Sequence, residues 1–268
     1  MSRTHWLLIC ATLLLAAGCE STSSSKQAAV SIPAKPPPPP PLQEAPAPYR
    51  AQMHVDLAAG YYERGRMDIA FQELAEAAKL DPANARIYNL YGLVYANLEQ
   101  DANAQQNFQR ALQLAPDDSE IRQNWGWYLC THGREREAIT EFDLAVRNPL
   151  YRTPDISLTN AGKCAASIGD HVRAAEYYRR ALQVNPANAP AAYSLSLLAY
   201  KQNRLDEART VMRRVMQHAN PPPEALYLGM CIERKLGDRA SQNSYESQLR
   251  NRYPDAAETK AIASGACD

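Results

Sequence analysis

The sequence predicts an all-α solenoid of stacked helical hairpins, and three observations predict it. Small and bulky side chains recur in register about every 34 residues. Within each period the apolar positions have helical spacing, at 4, 7, 8 and 11 and then at 20, 24 and 27. Proline closes most periods, where it stops the second helix.

The first segment reads as an address. Residues 1–18 hold Arg3, an apolar run from Trp6 to Ala17 and small residues before Cys19. The run is short for a bilayer span and fits a secretory signal peptide. Ala16-Ala17-Gly18-Cys19 resembles a bacterial lipobox, with Ala16 in the usual leucine place, which would make Cys19 the lipidated first residue. Acyl chains contribute about 0.8 kcal/mol per buried methylene, so a multiply acylated Cys19 anchors the chain to a membrane. Glu20, rather than Asp, follows it, which favours the outer membrane. Residues 19–48 are Ser-rich and then Pro-rich, as in Pro36–Pro41. Such sequence prefers extended polyproline II and reads as a tether.

The solenoid is expected over 49–256. The clearest period is 85–118, with Tyr88, Tyr91, Gly92, Tyr95, Ala104, Phe108, Ala111 and Pro116. This is the pattern of a tetratricopeptide (TPR) repeat. It recurs over 51–84 (Ala58, Leu74, Pro82) and 119–152 (Gly126, Phe142, with Pro149 one place early). After a two-residue slip it continues over 155–188 (Gly162, Tyr178, Pro186), 189–221 (Ser196, Met212) and a degenerate 222–255 (Gly229, Tyr245, Pro254). The fold class is thus a TPR superhelix of about six repeats, with a C-terminal tail over 257–268. Positions 4, 7, 8 and 11 should point into the stack.

The opposite positions of each first helix should line a concave groove. They are Arg86, Asn89, Leu93 and Asn97, then Gln123, Asn124 and Trp127, then Thr159, Asn160 and Lys163, then Tyr193, Leu197 and Tyr200. Amides mixed with large apolar side chains suit a bound polypeptide, the apolar groups supplying affinity and the amides holding backbone. Asn124 and Asn160 share position 6 of their repeats. In that respect the chain resembles peptide-binding TPR domains, whose Asn there hydrogen-bonds ligand backbone. The Lys and Arg of a carboxylate clamp are not in place.

Cys10 lies in the signal peptide, which leaves Cys130, Cys164, Cys231 and Cys267 besides Cys19. Export makes disulfides available. Cys130 and Cys164 fall on facing flanks of adjacent first helices, offset by about 3 Å along the axis, so a bridge between them is expected. Cys231 faces Tyr200, so the repeat supplies it no bridge partner; a Cys231–Cys267 pair stays open, without geometric support from the spacing.

The formal net charge is zero, so nothing argues for nucleic acid. The sequence contains no Gly-rich phosphate loop, HExxH or GxSxG, and Cys130-Thr131-His132 lacks zinc-site spacing. No catalytic residue, metal, cofactor or small-molecule substrate is expected.

Several stretches are more specific than a generic repeat. They are Asn124-Trp125-Gly126-Trp127-Tyr128-Leu129-Cys130, Asn148-Pro149-Leu150-Tyr151-Arg152-Thr153-Pro154, Asn160-Ala161-Gly162-Lys163-Cys164 and Leu249-Arg250-Asn251-Arg252-Tyr253-Pro254. With the lipobox they make the chain resemble the type IV pilus biogenesis lipoproteins called PilW or PilF, pilotins of the pilus secretin. The long proline tether departs from many members. The resemblance implies a periplasm-facing, outer-membrane-anchored scaffold that helps the secretin multimerise. The groove alone equally suits a general lipoprotein adaptor for cell-wall or outer-membrane assembly enzymes.

Overall fold

Proline and a capping side chain set where the hairpins begin. Pro82, Pro116 and Pro186 each follow a helix end, and two residues later a short polar side chain caps the next helix. Asn84 accepts from the Arg86 N–H, Asp118 from Glu120 and Ile121, and Asn188 from Ala191. The computed structural model describes residues 45–265 and 267. The expected signal peptide, Cys19 and most of the tether lie outside the described residues.

Among the described residues there are helices and no strand. They pair as α1 (Ala47–Glu63) with α2 (Met67–Leu80), α3 (Ala85–Asn97) with α4 (Asp101–Leu114), and α5 (Ser119–Thr131) with α6 (Glu135–Ala145). Then come α7 (Pro154–Ser167) with α8 (His171–Val184), α9 (Ala189–Lys201) with α10 (Leu205–Met216), and α11 (Pro223–Leu236) with α12 (Arg239–Arg252). A short α13 (Ala257–Ser264) follows in the tail. α1 starts inside the expected tether, at Ala47, with Pro48 in its first turn, where the missing N–H is no loss.

First helices of successive hairpins touch one another: α1 meets α3, then α3 meets α5, and so on to α11. Among the described residues the backbones of successive second helices stay apart and only long side chains bridge them: the Tyr177 hydroxyl of α8 donates to Asp143 of α6 at 2.9 Å, and Arg179 of α8 donates to Glu207 of α10 at 2.8 Å. The first helices therefore form the inner, concave row of a TPR superhelix and the second helices the outer row.

Within each hairpin, position 8 meets position 24. A Cβ on Gly92 would lie 2.7 Å from the Phe108 ring, on Gly126 2.9 Å from Phe142, and on Gly162 2.5 Å from Tyr178. Each ring is at most 3% exposed. The two repeats with a Cβ at this position, at Ala58 and Ser196, carry Leu74 and Met212 opposite instead of a ring. Ser196 Oγ then donates to the Ala208 carbonyl at 2.8 Å. Helix separation and side-chain volume are matched in these five hairpins, while in the sixth a Cβ on Gly229 would meet Met216 of the preceding hairpin first, at 2.9 Å, and Tyr245 at 3.3 Å.

Three expectations about direction are corrected. Leu57 occupies a stacking position but is 45% exposed, because among the described residues no hairpin precedes α1. Thr159 is not a groove residue: it is buried and donates to the Asp155 carbonyl at 2.6 Å. Asn188 Nδ2 donates to Thr159 at 3.1 Å and to the buried Asp155 carboxylate at 2.9 Å, so this corner ties hairpin four to hairpin five. Tyr200 is the third: it is buried under the C-terminal tail. The two-residue slip falls after α6, which is shortened to 11 residues.

Candidate protein-binding groove

The concave row is a strip of amides interrupted by exposed apolar groups. Asn124 Nδ2 donates to Asn89 Oδ1 of the preceding repeat at 3.3 Å, and Gln123 Nε2 donates to Asn124 Oδ1 at 3.2 Å. These bonds fix the amide planes across hairpins two and three. Asn160, at the same position as Asn124, makes no side-chain hydrogen bond among the described residues. Arg86, Asn97 and Lys163 are exposed at the margins. Leu93 is half-buried and packs its body into the core. Trp127 is 37% exposed on the inner row, between the amides of hairpins two and four. An exposed indole and a free amide are what an interface anchor and a backbone reader need.

The other end of the row is shaped by the tail. Tyr193 and Leu197 of α9 and Leu228 of α11 form one wall of a cavity of about 460 Å³. Ala257 and Ala261 of α13 form the wall opposite. Burial raises the Tyr193 pKa, and the nearby carboxylates of Glu224 and Glu258 raise it further. Tyr200, expected to face the open groove, is instead buried and donates its hydroxyl to the Cys267 carbonyl at 2.6 Å. The tail lies over it, so Tyr200 anchors the chain's own C-terminus. The Lys235 ammonium stands 4.2 Å from the Tyr200 ring centroid, a cation–π contact.

Two disulfides cross the inner row. Cys130 of α5 is bonded to Cys164 of α7, with Cα atoms 5.9 Å apart. Cys231 of α11 is bonded to Cys267, with Cα atoms 5.5 Å apart. Cys164 and Cys231 hold the same position of their first helices. Cys130 meets the former from the preceding repeat. Tyr200 fills the corresponding place before the latter, and Cys267 comes in from the tail.

Models of the tetratricopeptide repeat match residues 85–118, 124–191 and 166–228. The type IV pilus assembly protein PilF of Pseudomonas aeruginosa is 24% identical over 205 residues, 76% of this chain and 81% of that protein. The crystal structure of PilW, a widely conserved type IV pilus biogenesis factor, superposes with a TM-score of 0.70 at 29% identity. That match covers 80% of this chain and 98% of PilW. The chain is a TPR protein homologous to PilF and PilW. The PilF structure from P. aeruginosa superposes with a TM-score of 0.74 at 23% identity, covering 82% of this chain and 99% of that one, which speaks to fold. In this PilF/PilW homologue the TPR superhelix is a protein-interaction fold.

Several residues of the inner row were not anticipated from sequence: Glu224, Tyr227 and Leu228 of α11 and the α13 wall. One signal pointed to them. Cys231 repeats the position of Cys164 without a neighbouring cysteine one repeat earlier, and Cys267 is the cysteine left over.

Proposed function

We propose that this chain is a lipid-anchored periplasmic scaffold of type IV pilus biogenesis that binds the pilus secretin in its concave groove and promotes secretin multimerisation at the outer membrane. The observation that carries the reading is the match to PilF over most of both chains, reinforced by the superposition on PilW. The sequence around Cys19 supplies the membrane attachment and the Pro-rich tether supplies reach. Asn124, Asn160 and Lys163 hold the partner's backbone and polar groups, and Trp127 buries against its apolar side chains.

A deletion strain tests this. Without the gene, surface pili and twitching motility should be lost and heat-resistant secretin multimers should fall. The wild-type gene should restore them. Cys19→Ala should leave the protein folded but detached from membranes and restore them poorly. Trp127→Ala should restore membrane attachment but not full multimer levels. Normal multimers and pili in the deletion strain would overturn the secretin role. Capture of peptidoglycan synthases or hydrolases in place of secretin would move the scaffold to cell-wall assembly.

A further inference from the structure

The C-terminal end of the inner row differs from the rest because a thirteenth helix roofs it. An eight-residue helix is too short to persist by its own hydrogen bonds. It is held at both ends: Thr259 Oγ1 near its start donates to the Tyr253 carbonyl at 2.6 Å, and just past its end come the Cys231–Cys267 bond, the Tyr200 hydroxyl on the Cys267 carbonyl at 2.6 Å and Arg234 donating to the Gly265 carbonyl at 2.8 Å. What lies beneath is a cavity rather than a filled core. An apolar cavity of about 150 Å³ binds benzene. The volume here, about 460 Å³, has room for about three groups of that size. Its floor is Tyr193, Leu197 and Leu228.

The cavity is also charged at its two ends, with opposite signs. Glu224 opens α11 and Glu258 opens α13, and both carboxylates act on the Tyr193 hydroxyl. Lys201 closes α9 about 12 Å further along, at 1.5 Å per residue from Tyr193. None of these three charges has an ion-pair partner among the described residues. Unpaired charges at both ends of an apolar trough specify an occupant of complementary pattern.

We propose that α13 and the Cys231–Cys267 bond build a pocket for a short segment of a partner protein, one with bulky apolar side chains between a basic residue and an acidic one. The basic residue meets Glu224 and Glu258, the apolar side chains fill the trough, and the acidic residue meets Lys201. The disulfide pins the far end of the roof, beyond α13. This rests on the groove being a protein-binding surface, but not on the identity of the partner.

The test is selection from a displayed library of random twelve-residue peptides against the oxidised full chain in detergent. Enriched peptides should share the basic–apolar–acidic pattern. Lys201→Glu should weaken them about tenfold, and exchanging the acidic residue of the peptide for lysine should recover the loss. Cys231→Ser/Cys267→Ser should weaken them at least about tenfold while helicity by circular dichroism stays near wild type. Enriched peptides that lack the pattern, or that bind both variants as tightly as wild type, would overturn the pocket. Peptides lost with Trp127→Ala but kept with Lys201→Glu would also overturn it, while leaving the groove reading intact. Failure to enrich any peptide would sink the proposal as well, whereas the pilus phenotype of the deletion strain would stand apart.

Discussion

A single methyl group has opposite meanings at different glycines of this chain. At Gly162 it would lie 2.5 Å from the Tyr178 ring, which is itself buried between helices. Overpacking of that kind costs about 1–3 kcal/mol, against the roughly 0.5–1 kcal/mol that alanine gains over glycine in a helix interior. Gly162→Ala should therefore lose stability, by about 1–2 kcal/mol in urea unfolding. At Gly60, in α1, the same Cβ would meet nothing within 4 Å. Gly60→Ala should gain about 0.5–1 kcal/mol, the backbone term alone. Equal effects at the two sites would mean that the glycine–aromatic contact does not set the helix separation. At this scale most of the structure was legible. Position 8 could be read as small and position 24 as large because each hairpin solves the same local packing problem. Leu57, Thr159 and Tyr200 could not be read so, because their surroundings come from outside the repeat. Leu57 has no hairpin before it among the described residues, Thr159 is claimed by Asn188, and Tyr200 is covered by the tail.

The helical hairpin is the next unit, and its weak point is the turn. One residue between paired helices takes the left-handed backbone conformation: Gly65, Gly133, Gly169 and Gly237 in four hairpins, but Glu99 and Asn203, each at φ 57°, in the other two. A side chain there costs about 1–2 kcal/mol, offset by the smaller entropy that it loses on folding. Glu99→Gly should stabilise the chain by about 0.5–1 kcal/mol. Asn203→Gly should gain less, since asparagine enters this region more readily. Differential scanning calorimetry of the two variants checks the order, and a larger gain at Asn203 would contradict it. Helix starts were legible where proline and then Asn or Asp mark them, as at Asn84, Asp118 and Asn188. The start of α7 is different. Thr153 makes no capping hydrogen bond there, and Pro154 alone defines the first turn. α13 was not legible, because eight residues carry too little periodicity to stand out from a tail.

At the scale of the whole solenoid, stability is a sum over hairpins and the junctions between neighbours, so cross-links matter by where they fall. The Cys130–Cys164 bond joins α5 to α7 directly, across the junction where the slip after α6 breaks the regular spacing. The Asp155–Asn188 corner secures the next junction. Arg209 bridges α10 to Glu233 of α11, and Cys231–Cys267 ties in the tail. The first two hairpins have no covalent tie among the described residues. Contact from one to the other is apolar packing plus an exposed Arg86–Asp56 pair at 3.6 Å, and exposed pairs contribute little. Native-state hydrogen exchange should accordingly show α1–α4 opening at lower free energy than α5–α9. Closing a loop between residues 34 apart contributes roughly 3–4 kcal/mol on the chain-entropy model. Cys130→Ser/Cys164→Ser should remove about that much, and its effect should be concentrated at one junction. Protection of α5 and α6 should then fall to the level of α1–α4, while α9–α12 keep theirs. A uniform loss across every helix would show that the solenoid unfolds as one cooperative body, and that the cross-link acts on the unfolded chain without dividing the folded one.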